Sequence, residues 1–411
     1  MRNTCNEVDM KNRPSSKQPY NHHPLAGARR KVSFQQMVPL LLLLLLGGIC
    51  GFFIGRFVMT VARTGASTGM QLLLFGMLTV AFCVILLAQI LLHEAGHMLA
   101  GWLSGYTFCS FRIGSLMWVR QAGHVKLRRL SLAGTGGQCL MNPPEPRVGR
   151  FPFVLYNLGG SLLNLLTAPV FWLASRAAAG APVFAVLLEM AAWTGFGFAL
   201  INGIPLRLAA VDNDGRNIIT LRQNPKASAA FWLQMRVNAM MAEGHRQKDL
   251  PAEWFTMPDA ADMNNSMVAS MAVFSIGRMI DCHAFDQAEH AIESVLTHGT
   301  AMAGIHRLLL TAETICLELL GQARPERIAA LRTRDFVKFE KAMRTFPTIL
   351  RMQYGLALRI EKDADKAAAL RRRIEKVLAA YPYPGEAEAE RELVALLDAA
   401  STPFDSAEEP A

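Results

Sequence analysis

Between residues 37 and 206 the chain has almost no acid: Glu94, Glu145 and Glu189 are the only carboxylates there. A water-facing surface of that length would carry many more, so the stretch reads as lipid-facing. The cysteines show no motif spacing either. The seven cysteines (Cys5, Cys50, Cys83, Cys109, Cys139, Cys282 and Cys316) are scattered, odd in number and never spaced C-x-x-C. That supports neither a zinc knuckle nor a disulfide framework, and suits a reducing cytosol or burial in lipid. No basic stretch is interleaved with aromatics, so the net charge of +9 does not indicate nucleic acid. Nor is the first apolar run a signal peptide, since it is too long and no small-residue cleavage site stands cleanly after it.

What is present is hydrophobicity concentrated on one side of the chain. Over 411 residues, with room for two or three domains, the mean hydropathy is +0.22, and the apolar excess sits before residue 206. Residues 1–36 are polar, basic and rich in Asn and Pro, which predicts a disordered tail. Four apolar runs follow, at about 37–58, 70–103, 151–174 and 182–204, each long enough to span a bilayer. Lys and Arg crowd the tail (Arg29, Arg30, Lys31) and the loop after the second run (Arg112, Arg120, Lys126, Arg128, Arg129, Arg147, Arg150). By the positive-inside rule both termini and that loop are cytosolic, in a multi-pass protein of the cell membrane.

Within the loop, 111–119 and 125–132 alternate as strands do, with residues 121–124 as the turn of a hairpin that includes His124. Gly134-Thr135-Gly136-Gly137 breaks the pattern, and Pro143-Pro144 forbids helix before the third run. Such a hairpin either offers an edge to an extended peptide or simply connects two spans. The expected architecture is therefore an all-α, multi-pass bundle of about four spans, with a β-hairpin-like cytosolic loop and a C-terminal helical domain. Domain bounds fall at 1–36, 37–221 and 222–411. The last of these shows helical periodicity similar to tetratricopeptide-type repeats, though without a clean period of about 34 residues. Such layers bind protein partners or serve as stabilising appendages.

The chemistry is concentrated at His93-Glu94-Ala95-Gly96-His97, which closes the apolar run from Gln71 to Leu92. On a helix, residues four apart project from one face, so His93 and His97 can hold Zn²⁺ while Glu94 acts as general base toward water. Ionisable groups at the end of a membrane span are costly and mark function. Zinc needs a third protein ligand, and the candidates lie after the fourth run, where Asp212 and Asp214 flank Asn213. Glu189, inside the fourth run, reads as helix packing or cavity lining. In the third run Gly159 and Gly160 permit close helix approach. Asn164 beyond them either donates to the oxyanion of a tetrahedral intermediate or bonds a neighbouring helix.

These motifs, in this order, resemble the site-2 proteases, the zinc intramembrane metalloproteases. The resemblance spans roughly residues 86–215: the His-Glu pair-motif ending one span, Gly160-x-x-x-Asn164 in the next, and Asn202-x-x-Pro205 followed by Asp214-Gly215. The family commonly has proline where Ser161 stands, and a shorter spacing than Pro205 to Asp214. The resemblance implies His93, His97 and Asp214 as zinc ligands, Glu94 as the base and Asn164 as a transition-state contact. It also implies a membrane protein or peptide as substrate, cleaved in or near the lipid bilayer. Gly215 favours Asp214 over Asp212 as the third ligand, because a glycine lets the backbone turn tightly beside the metal. Asp212 is then expected to accept a hydrogen bond from an imidazole N–H. A contrasting reading is a non-catalytic membrane scaffold whose helical domain binds partners.

Overall fold

The structure, a computed structural model, describes residues 67–401 except 132–135, 148–149, 207–211 and 300, together with scattered residues between 44 and 59 that are all helical. The expected basic tail and most of the first expected span lie outside the described residues. The other three expected spans are helices: α1 (Thr68–Leu103), α2 (Val154–Ala177) and α3 (Pro182–Gly203). Among the described residues these three are long and apolar enough to cross a membrane.

Helix α1 has 36 residues and no charged side chain before Glu94. Its length of about 54 Å exceeds a hydrocarbon core of about 30 Å, so one end must leave the lipid. The helix starts where the Ser67 hydroxyl accepts from the Met70 N–H, and it stops at Gly105, whose φ of +81° closes the last turn. Helix α3 begins with Pro182 in its first turn and ends where Ile204 turns extended ahead of Pro205. Near the far ends of α2 and α3, Arg176 bonds Glu189 at 3.0 Å, which makes Glu189 a packing residue.

The loop after α1 differs from the expected hairpin and from an all-α fold. It is a four-stranded antiparallel sheet of β1 (Thr107–Ile113), β2 (Leu116–Gln121), β3 (His124–Arg129) and β4 (Gly137–Asn142), in the order β3-β2-β1-β4. The run at 111–119 is two strands, because Gly114 adopts a φ of +58° and reverses the chain. Ala122 and Gly123, both at positive φ, make the second tight turn where one was expected. Strand β4 was masked in the sequence by its glycine start. Gly137 is required there because a Cβ would stand 2.8 Å from the Glu94 side chain.

The sheet joins the two halves of the molecule. On one face Met117 and Val119 are fully buried in a core shared with Val237, Leu319 and Tyr383. On the other, Phe111, Cys139 and Met141 pack with Tyr106 and Tyr156. That second face continues onto β2 and β3, where Leu116, Trp118, Val125 and Leu127 are exposed.

After the spans come α4 (Asp214–Gln223), α5 (Pro225–Glu243), α6 (Ser266–Asp281), α7 (Phe285–His298), α8 (Gly304–Leu320), α9 (Pro325–Leu331), α10 (Arg334–Ala342), α11 (Pro347–Leu356), α12 (Ala364–Ala379) and α13 (Pro384–Ser401). Their burial follows helical periodicity: in α7, Phe285, Ala288, Ile292 and Val295 face the core. Helix lengths range from 7 to 19 residues, so no constant repeat unit is visible in them. Buried ion pairs cross-link distant segments. The Arg351 guanidinium, on α11, lies between Glu313 of α8 (2.8 Å) and Glu390 of α13 (2.8 Å). The expected boundary between 221 and 222 falls inside α4, which runs from the spans into the helical half.

Candidate metal centre

His93 and His97 lie one turn apart on α1 with their rings edge to face, and both are buried. They can sit there because α2 has no side chain at two successive positions. A Cβ on Gly159 would stand 2.4 Å from the Gly96 carbonyl oxygen, and one on Gly160 would stand 2.5 Å from the His93 ring. Two backbones thus meet directly, as small residues permit within a membrane bundle.

Asp214 arrives from the other side of the sequence. It opens α4, and its neighbour Asn213 fixes where that helix starts. The Asn213 side-chain oxygen Oδ1 accepts from the Leu206 and Arg216 N–H groups, both at 3.0 Å. The Asn213 amide donates to the Ile201 and Ile204 carbonyls, both at 2.6 Å, so α4 hangs from the last turn of α3. Gly215 follows at the closest point, where a Cβ would stand 2.2 Å from the Gly203 carbonyl oxygen. The result places Asp214 Oδ2 3.1 Å from His93 Nε2 and 3.4 Å from His97 Nε2. The two Nε2 atoms are themselves 3.2 Å apart.

Each imidazole is oriented through its other nitrogen. His93 Nδ1 meets Asn164 Oδ1 at 3.0 Å, and His97 Nδ1 meets the Tyr156 carbonyl oxygen at 2.8 Å. A carbonyl oxygen only accepts, so both Nδ1 atoms carry the proton and donate it. With both rings neutral, both Nε2 lone pairs face the Asp214 carboxylate and three electron-rich atoms converge, an arrangement that a shared proton or a cation would hold together. The spacing fits: donors about 2.0–2.1 Å from a tetrahedral zinc stand about 3.3 Å from one another. Among the described residues this is the group of His, Cys, Asp and Glu side chains able to hold a metal.

Glu94 is buried beside His93, its side chain against Gly137 at the start of β4. Of the residues singled out in the sequence, His93, His97 and Asp214 thus come together and Glu94 lies beside them. Asp212 is outside the cluster. The imidazole N–H groups it was expected to meet are occupied by Asn164 and Tyr156. Asn164 is fully buried, and its amide faces α1, donating to the Gln89 backbone oxygen (3.2 Å) and to Gln89 Oε1 (2.8 Å). Its hydrogen bonds thus run to α1, at Gln89 and at the His93 ring nitrogen. His124 is an exposed residue at the start of β3.

Three residues that shape the site escaped the sequence reading. Tyr156 acts through its backbone and also ties α2 to the sheet, its hydroxyl donating to the Cys139 carbonyl at 2.7 Å. Asn213 carries the cap just described; an Asn directly before a helix start was a visible signal for it. Gln89 is the third, and it was visible as the one amide side chain between Gln71 and His93.

Compared with known protein families, curated proteins and solved structures, the chain matches none.

Proposed function

We propose that the protein is a membrane-embedded zinc metalloendopeptidase that hydrolyses peptide bonds in or near the bilayer. The observation that carries this reading is the convergence of His93 Nε2, His97 Nε2 and Asp214 Oδ2 at the end of an apolar helix, with Glu94 adjoining. The donor set, two imidazoles and one carboxylate, is that of a catalytic zinc site with a position left for water or substrate. When bound, zinc would polarise the scissile carbonyl and acidify the attacking water.

The side chains divide the remaining work. His93, His97 and Asp214 hold the metal. Glu94, which is not among the three converging donors, takes the proton from the attacking water and delivers it to the leaving amine. The Tyr156 carbonyl and Asn164 keep the imidazoles facing inward. The substrate is a membrane protein or peptide, and the helical half recruits it or a regulator.

The decisive experiment pairs metal analysis of purified protein with cleavage of a panel of single-span substrates. Glu94→Gln is expected to retain zinc and to lose cleavage by about 10²–10⁴-fold, the usual contribution of a positioned base. Normal cleavage by this variant would sink the reading.

The same proposal fixes an orientation, with both termini and the sheet in the cytosol and the metal site near that face. Reporter fusions after Gly65, Leu130, Gly180 and Ala230 are expected to read outside, inside, outside and inside. An external signal after Ala230 would overturn a four-span arrangement.

A further inference from the structure

Gln89 stands one helical turn before His93 and is 1% exposed, among the most costly placements for an amide in an apolar span. Each of its polar ends is committed. Nε2 donates to the Ala191 carbonyl of α3 at 2.9 Å, which fixes which end of the amide faces which way. Oε1 is then the end presented to α2, where it accepts from Asn164 Nδ2 at 2.8 Å. The fit is close, since a Cβ on Gly195 of α3 would stand 3.0 Å from Gln89 Oε1.

The consequence runs through Asn164. Its amide can rotate by half a turn, exchanging oxygen and nitrogen with almost no change in shape. With the nitrogen facing α1, Oδ1 accepts from His93 Nδ1, and the lone pair of His93 Nε2 is free for a cation. In the rotated state Asn164 would present N–H groups to His93 Nδ1. That nitrogen would have to become the acceptor, its proton would move to Nε2, and Nε2 could no longer be a ligand. Gln89 excludes the rotated state by offering two acceptors, side chain and backbone, where the nitrogen now sits.

We infer that Gln89 is a positioning residue of the metal site, which through Asn164 holds the His93 imidazole in the tautomer and orientation that a metal requires. The inference rests on the reading of His93, His97 and Asp214 as metal ligands, and it assigns Asn164 the same positioning role. With the Gln89 side chain removed, the backbone oxygen at 3.2 Å is the acceptor that remains, so the loss is partial. Groups that orient a metal-binding histidine are worth about 10–100-fold in metal affinity.

The test is zinc titration of the full-length protein in detergent, stripped with a chelator and read against a competing fluorescent indicator. Gln89→Leu is expected to weaken zinc about 10–100-fold. Gln89→Met, close in length, with no donor and only a weakly accepting sulfur, is expected to give the same loss and serves if Gln89→Leu is not recovered folded. The discriminating background is Asn164→Asp. A carboxylate presents an acceptor oxygen to His93 whichever way it is turned, so adding Gln89→Leu to Asn164→Asp is expected to cost nothing further. Wild-type affinity in both Gln89 variants would overturn the inference while leaving the metal site intact. An equal loss with and without Asn164→Asp would also overturn it, by showing that Gln89 acts through helix packing. A wild-type protein that binds no zinc would overturn the metal site itself, and the role of Gln89 with it.

Discussion

Asp214→Ala is expected to lose zinc by far more than about 100-fold, the upper limit for a group that only orients a ligand, and to lose cleavage with it. Asp212→Ala is expected to keep both. The contrast follows from Asp214 Oδ2 lying within 3.4 Å of both Nε2 atoms, whereas both imidazole N–H groups are already taken up by Asn164 and Tyr156. Zinc content of the two variants, purified side by side, checks it. Zinc kept in Asp214→Ala and lost in Asp212→Ala would reverse the assignment.

The largest structural effect is expected at Gly96. A Cβ there would stand 2.2 Å from the Gly159 carbonyl oxygen and 2.8 Å from Gly160 Cα, all of it backbone that cannot rotate aside. Gly96→Leu should therefore force α1 and α2 apart, costing about 3 kcal/mol or more, at the upper end for overpacking. Zinc should be lost in parallel, because His93 reaches Asn164 and His97 reaches Tyr156 across the same contact. Gly76, on the same helix, has nothing within 4 Å of its missing Cβ, so Gly76→Leu is the control. Thermal unfolding and zinc content of both variants in detergent decide it. A Gly96→Leu protein as stable and as metal-loaded as Gly76→Leu would contradict the packing described.

The extent to which the sequence discloses this site depends on how local each relation is. His93 and His97 are legible because helical geometry alone puts them on one face. Asp214 was narrowed to a short stretch by the scarcity of acids, and the resemblance chose it; only the three-dimensional structure brings it against the imidazoles. Asn164 was legible as a buried amide, but one amide does not announce its partners, and that these are Gln89 and His93 is visible only in three dimensions. The spans at 70–103, 151–174 and 182–204 were readable from length and hydropathy, with ends close to those of α1, α2 and α3. Strand β4 was not. Its glycine looks like a breaker in one dimension and is demanded in three by the side chain of Glu94. Likewise the division of 111–119 into two strands hangs on one glycine at positive φ, which alternation of hydrophobicity does not reveal.

Asn213 and the helix it caps leave the third donor in an unusual mechanical position. Asp214 is the first residue of α4, and only Asn224 separates α4 from α5. Helix α5 in turn grips the segment around β4, with Trp232 Nε1 donating to the Pro144 carbonyl at 2.9 Å and Arg236 to Asn142 at 3.0 Å. His93 and His97 sit within one long apolar helix, whereas the carboxylate facing them opens a helix that Asn213 ties to α3 at its start and that leads through α5 into the helical half. Of the three converging donors, Asp214 is the one whose backbone belongs to the junction between the apolar helices and the helical half.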